Sequence, residues 1–265
     1  MKARDLHRRI QAYWERPGTL SIIDKNLHEL EIRAVLRHLK PGDRIADIGC
    51  GDGVAGVRYG AKVRSCLLVE RSARLRRLAA RRAARAGRKN TVARAGDMLD
   101  LDIPGGNDAI VTQRLLINLC SWAEQKRAID SIRRSLRPGG RYIMVENTND
   151  AFRAMNRWRA RVGLAPVPLH WHNRFFDHDK LMRFMRGRFR LVRSYDFGLY
   201  YLLTRVYAPM FASFTGWGAG AKKDPIYEKS DRAARLLFEE FRDEVRVVAP
   251  RAFGPIQVLV WQRIR

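Results

Sequence analysis

Asp43-Arg-Ile-Ala-Asp-Ile-Gly-Cys-Gly-Asp-Gly53 places an acid at the end of a short apolar strand and runs directly into glycines at 49, 51 and 53. Glycine at these spacings lets a backbone turn tightly and come close to a ligand. An ordinary strand-to-helix turn also uses glycine, and so does a dinucleotide site. Counted from Gly49 the GxGxxG spacing fails at Val54, whereas counted from Gly51 it is completed by Gly56. Spacing alone therefore leaves a dinucleotide open. Asp47 argues the other way, because a carboxylate ahead of the glycines repels a diphosphate and suits a cationic amino or sulfonium group.

Outward from this turn the chain alternates between helical and strand periods. Residues 27–39 predict a helix that stops before Pro41-Gly42. Residues 44–48 form a first strand, 65–70 a second, 91–95 a third, 108–113 a fourth and 141–146 a fifth. Between them, residues 72–86 read as a helix with Leu75, Leu78, Ala79, Ala83 and Ala86 on one face, and 123–136 as a helix stopped by Pro138-Gly139-Gly140. After Glu146 the rhythm loosens through residues 147–177. A helix at 179–185, a strand at 189–196, a helix at 230–247 and a closing strand at 256–264 restore it. Strands alternating with helices imply right-handed crossovers and a parallel sheet covered on both faces. The expectation is an α/β, Rossmann-like doubly wound, seven-stranded and mostly parallel sheet forming one domain over residues 1–265. Residues 1–40 would be an N-terminal helical cover, with insertions at 147–178 and 198–250 after strands five and six.

The 265 residues carry 46% apolar residues, enough for a sizeable core, which excludes disorder over most of the length. Lys and Arg number 52 against 27 Asp and Glu, a net charge of +25, and Arg supplies 42 of those cations. Codon preference explains the choice of Arg over Lys but not the shortage of acids, so anionic partners are expected. Cys50, Cys66 and Cys120 form no CxxC pair and leave one over, which suits a reducing cytoplasm. The N-terminus has no signal-peptide core and no run reaches membrane-spanning length, so a soluble protein is expected.

The glycine turn and the strands after it resemble the class I S-adenosylmethionine-dependent methyltransferases. Asp47-Ile-Gly-Cys-Gly-Asp-Gly53 is similar to that family's first motif, and Glu70 ends strand two where the family holds both ribose hydroxyls. Gly96-Asp97-Met98 is similar to the adenine-flanking position. Asp108–Arg114 resembles the fourth-strand motif, and Leu136-Arg-Pro-Gly-Gly-Arg-Tyr142 the turn before strand five. The resemblance implies S-adenosylmethionine as cofactor, held by Asp47, Gly49, Cys50, Gly51, Gly53, Glu70, Arg71, Asp97, Met98 and Gln113. It covers residues 27–150 well and the rest only as architecture.

The acceptor side falls in the insertions. Leu169-His-Trp-His-Asn-Arg-Phe-Phe176 packs two histidines, an Asn, an Arg and three aromatics into eight residues after Pro166 and Pro168. This stretch resembles members from surface-glycan pathways, which points to O-methylation of a sugar or lipid-linked glycan hydroxyl. His172 is the expected base, with Arg114, Asn147 and Asn149 orienting the acceptor. His170 and His172 lack a further ligand at metal spacing, and no metal is expected.

Residues 71–89 carry nine cations and no acid, either a solvated outer helix or an anionic docking face. The aromatic-rich segment 197–221 holds one cation and several glycines. It reads as irregular, and either folds back as core or acts as a lid touching an anionic inner-membrane face. An RNA methyltransferase and a non-catalytic cofactor-binding scaffold are the rival functions. Nucleic acid is the weaker partner, since no aromatics interleave with the 71–89 cluster. The sequence leaves the oligomeric state open.

Overall fold

The computed structural model of this chain describes residues 3–19, 23–215, 231–237, 239 and 253–264. Two helices, α1 (Ala3–Glu15) and α2 (Lys25–Leu36), precede β1 (Arg44–Ile48). Next come α3 (Val54–Gly60), β2 (Ser65–Glu70), α4 (Ala73–Arg85), β3 (Thr91–Ala95), β4 (Asn107–Gln113), α5 (Trp122–Ser135) and β5 (Leu136–Asn147). The last third holds α6 (Asn149–Arg161), α7 (His178–Met185), β6 (Phe189–Asp196), α8 (Gly198–Leu202), α9 (Ala208–Thr215) and β7 (Ile256–Arg263). The strands form one seven-stranded sheet in the order β3-β2-β1-β4-β5-β7-β6. The first five are mutually parallel, and β7 runs antiparallel between β5 and β6. This is the α/β, Rossmann-like methyltransferase fold.

Side-chain caps fix where the helices start. Asp24 accepts from the Leu27 amide at 2.9 Å, Ser72 from Leu75 at 3.2 Å, Ser121 from Glu124 at 3.2 Å and Asp177 from Lys180 at 2.9 Å. Each face of the sheet carries its own apolar layer. One is built around Leu30, Val35, Tyr59 and Val145, the other around Ile110, Ile129, Ile132 and Met144.

Three segments differ from the sequence reading. The loosened stretch after Glu146 contains α6, whose buried residues are only Ala151 and Met155, too few to give a clear helical stripe. Pairing in β5 begins at Leu136, opposite Asn107, so the Pro-Gly-Gly turn lies inside the ladder at a register shift. Residues 198–215 are not irregular: α8 passes through a π-helical turn (Leu203–Tyr207) into α9. Phe197, Tyr200 and Tyr201 are buried in it, while Tyr207 and Phe211 are 47% and 59% exposed. Trp217 and most of the helix expected at 230–247 lie outside the described residues, of which 231–237 are helical.

Gly53 shows how tightly the first turn is built. Its φ is +81°, and a Cβ there would lie 2.8 Å from the Cα of Ala79 in α4. Both strain and overlap oppose a side chain at this position. Gly53→Ala should therefore lower stability by about 2 kcal/mol or more in urea denaturation, whereas Gly87→Ala, with positive φ but nothing within 4 Å, should cost only about 1 kcal/mol.

Candidate active site

The carboxyl ends of β1, β2, β4 and β5 open onto a cavity of about 440 Å³. Open α/β sheets place their ligands at this edge. Asp47, Gly49, Cys50, Gly51, Glu70, Arg71, Asp97, Met98, Gln113, Arg114, Asn147 and His172 all line it. Two expected residues do not. Gly53 turns away to pack on α4. Asn149 lines an adjacent cavity, where its amide donates to the Phe175 carbonyl at 3.1 Å.

Gly49 and Gly51 both have positive φ, and the amides of Gly49 and Cys50 donate to the Val69 carbonyl at 2.8 and 3.2 Å. Glu70 closes the turn from the other side. It accepts the Gly51 amide at 3.0 Å on one oxygen and the Ser72 amide at 2.8 Å on the other. Asp47 is buried, and its Oδ2 has no hydrogen-bond partner. Burial, with the nearby Glu70 carboxylate second, pushes its pKa up to about 7. The turn is packed closely around this acid: a Cβ on Gly56 would lie 3.0 Å from Asp47 Oδ2, and one on Gly49 would meet Leu115 at 2.6 Å. Met98 is buried beside Asp97, whose carboxylate binds Arg71 at 3.2 Å.

A polar network also lines the cavity. Gln113 donates to Glu31 at 2.8 Å and accepts from the Tyr59 hydroxyl at 2.8 Å. Arg114, the one non-glycine residue with positive φ among the described residues (+51°), pairs with Glu31 at 3.4 Å. Asp24 pairs with Arg205 and accepts the Tyr200 hydroxyl at 2.8 Å. Asn147 is buried, and its Oδ1 has no partner.

The mouth is aromatic. His172 lies 4.8 Å from Tyr13, 5.8 Å from Trp14, 5.2 Å from Trp171 and 5.7 Å from His170, ring centroid to centroid. Burial, then His170, lowers the His172 pKa, and its Nδ1 is sealed without a partner. α1 is fastened over this mouth. Glu15 accepts the Ala73 amide at 2.9 Å, and Arg74 donates to the Trp14 and Thr19 carbonyls at 3.0 and 3.2 Å. His7 meets Glu124 at 3.1 Å.

His7, Cys120 and Glu124 bring three potential metal-ligand atoms within 4.8 Å of one another. Glu124 already accepts the Cys120 amide at 2.8 Å in a helix-capping arrangement, and burial pushes the Cys120 thiol up to about 11. The trio is accounted for by the cap and the His7 contact.

Sequence reading missed His28, Tyr13, Trp14, Tyr201 and Arg205, all of which line the cavity. They sit on amphipathic or apolar helices, where nothing in the local pattern separates a cavity wall from core.

Residues 45–140 match a family model described as a methyltransferase domain. No curated protein sequence matches this chain. Among solved structures, the chain is similar to geranyl diphosphate C-methyltransferase from Streptomyces coelicolor A3(2) in complex with Mg2+, geranyl diphosphate and S-adenosyl-L-homocysteine. The TM-score is 0.60 at 16% identity over 98% of each chain. It is also similar to the N-methyltransferase NodS from Bradyrhizobium japonicum WM9 in complex with S-adenosyl-L-homocysteine (TM-score 0.57, 12% identity, 98% of this chain and 99% of that one). The [4+2]-cyclase SpnF is similar to the same degree, with a TM-score of 0.57 at 20% identity over 99% of this chain and 93% of that one. These likenesses show the fold, and Asp47 and Glu70 are the two acids that its first two strands bring to the cavity.

Asp47 makes cofactor binding pH-dependent. In the free chain its neutral form is favoured, so its stabilising contribution is full below about pH 4 and is lost as pH rises through about 7. A cationic ligand favours the carboxylate instead. Calorimetry in buffers of different ionisation enthalpy should show a proton released on binding at pH 7, and tighter binding at pH 8 than at pH 6. Asp47→Asn should abolish the release and weaken binding about tenfold.

Proposed function

We propose that this chain, which carries a methyltransferase domain with S-adenosylmethionine as its cofactor, methylates a hydroxyl of a sugar-like acceptor. The aromatic mouth carries this reading. Tyr13, Trp14, His170 and His172 all line the cavity, and sugar rings stack their C–H faces on such rings while their hydroxyls bond to the polar groups behind. When bound, the cofactor supplies a methyl group on a sulfonium, so no nucleophilic side chain is required. The chain's own task is to hold the acceptor oxygen in line and keep water out.

Arg114 and Asn147 stand at the acceptor end. His172 contributes a neutral ring to the aromatic wall, and any proton it accepted would have to arrive at Nε2, because Nδ1 is sealed. A free diphosphate acceptor is less well served. Arg71, Arg114 and Arg205 all line the cavity, and each is already paired with an acid.

A glycan carried on a lipid is the finer version of the same proposal. Exposed Tyr207 and Phe211 on the π-turn and α9, and exposed Trp158 under Arg161, would give such a chain apolar and cationic contacts with an anionic bilayer. No described helix is long and apolar enough to cross a membrane.

The test is methyl transfer from radiolabelled S-adenosylmethionine to a panel of methyl glycosides and nucleotide-linked sugars. Methylation at oxygen is expected. Trp14→Ala should raise the acceptor KM about five- to tenfold, the value of one aromatic contact, and leave cofactor affinity within twofold. Transfer to nitrogen or carbon acceptors with none to sugars would overturn the reading.

A further inference from the structure

We infer that His28 is the residue that holds the acceptor hydroxyl by a hydrogen bond, a role that rests on the hydroxyl-acceptor reading above. His28 lies in the first turn of α2, is 7% exposed and lines the cavity. Among the described residues its imidazole makes no hydrogen bond, and its ring nitrogens are not among the sealed unpaired atoms, so they open to the cavity. The residue is buried while its ring nitrogens reach the cavity, so a hydroxyl entering there can take the hydrogen bonds that no protein group supplies.

The neighbours of His28 do not satisfy it. Most polar groups of the network that lines the cavity are committed to each other: Gln113 to Tyr59 and Glu31, Arg114 to Glu31, Arg205 and Tyr200 to Asp24, whereas Asn147 Oδ1 has no partner but is sealed. A hydroxyl entering here therefore finds one unpaired imidazole, flanked by guanidiniums whose charge is already balanced.

The chemistry of the imidazole suits an uncharged partner. Burial first, then Arg114, with Arg58 adding to it and Glu29 opposing, lowers the His28 pKa to about 3. The ring is neutral across the physiological range and offers one donor and one acceptor, the complement of an alcohol. It does not store a proton. It orients the hydroxyl, whose proton passes to water as the oxygen takes the methyl group. His172 differs on each point, since its Nδ1 is sealed and its ring packs in the aromatic wall.

The experiment uses the full chain labelled with 15N-histidine and loaded with S-adenosylhomocysteine. The methyl glycosides and nucleotide-linked sugars of the transfer panel serve as probes, and His28→Gln assigns the resonance. The acceptor that wild type methylates should shift the His28 ring nitrogens. His28→Phe, which keeps the volume, should lower kcat/KM for that acceptor by tenfold to a hundredfold with cofactor affinity unchanged, and His28→Gln should restore part of the loss. The dependence of kcat/KM on pH between 6 and 9 should carry no ionisation that His28→Gln removes.

A methylated acceptor that leaves the His28 resonance unmoved would overturn the inference, as would His28→Phe turnover within threefold of wild type. The resonance shift is read on the native chain and stands even if His28→Phe does not fold. Cofactor binding by wild type with no transfer to any sugar would instead overturn the hydroxyl-acceptor reading, and this inference with it.

Discussion

The carboxylate of Glu146, fully buried at the end of β5, accepts three successive backbone amides from the loop after β4: Leu115 at 3.1 Å, Leu116 at 2.9 Å and Ile117 at 3.3 Å. The loop starts from Arg114 at positive φ, whose amide donates to the Val145 carbonyl at 2.8 Å. It then makes a short 3-10 turn (Leu116–Asn118), which receives the 169–176 segment through the Arg174 amide and the Ile117 carbonyl at 2.6 Å. The loop after β4 and the 169–176 segment are thus both hung from one acid. Burial still pushes Glu146 up to about 7 despite the amides that stabilise its charge, so removing it would leave three donors unpaired in the interior.

The strands were the most legible part of the chain. β1 and β2 have the bounds that the apolar runs predict, because a strand covered on both faces must be apolar along most of its length. β3 and β6 are the sheet's edges and more exposed, and turn residues beside them, Asn90 and Gly96 for one and Gly187 for the other, marked where they begin and end. α6 was not legible, since it buries one narrow edge and leaves the rest charged. The 198–215 segment was legible in part, since the core alternative fits its buried aromatics, Tyr200 and Tyr201, while its helical path was not foreseen. The sequence cannot show which aromatics turn inward: Tyr200 and Tyr201 of α8 are buried with Val206, while Tyr207 and Phe211 are exposed. In the candidate site the glycines and acids of the first two strands were readable because backbone geometry demands those residue types. Asp24, Glu31 and Arg205 were not, because each matters only through a partner far away in sequence.

Distant pairing also bears on the +25 charge. Many arginines act as fasteners: Arg141 binds both oxygens of Asp43 at 2.6 Å, Arg74 ties two carbonyls of the N-terminal region to α4, and Arg188 joins the end of α7 to Asp130 in α5. Guanidinium suits this work because its fork of donors spans several carbonyls at once. Part of the arginine excess is therefore architectural and would persist in a protein with no polyanion to bind. On the outer face of α4, by contrast, Arg77, Arg81 and Arg85 are exposed.

The cavity itself is an electrostatic compromise. Unpaired buried polar atoms cost about 1–3 kcal/mol each, and this chain places Asp47 Oδ2 and Asn147 Oδ1, both without partners, on residues lining one cavity, with the unbonded His28 beside them. A fold selected for stability alone would have paired or replaced them. Asp47 is a carboxyl and His28 a neutral imidazole, so the two residues favour different ligand chemistry. A ligand pair with a positive donor and a neutral acceptor satisfies both at once, whereas two charged ligands would satisfy only one.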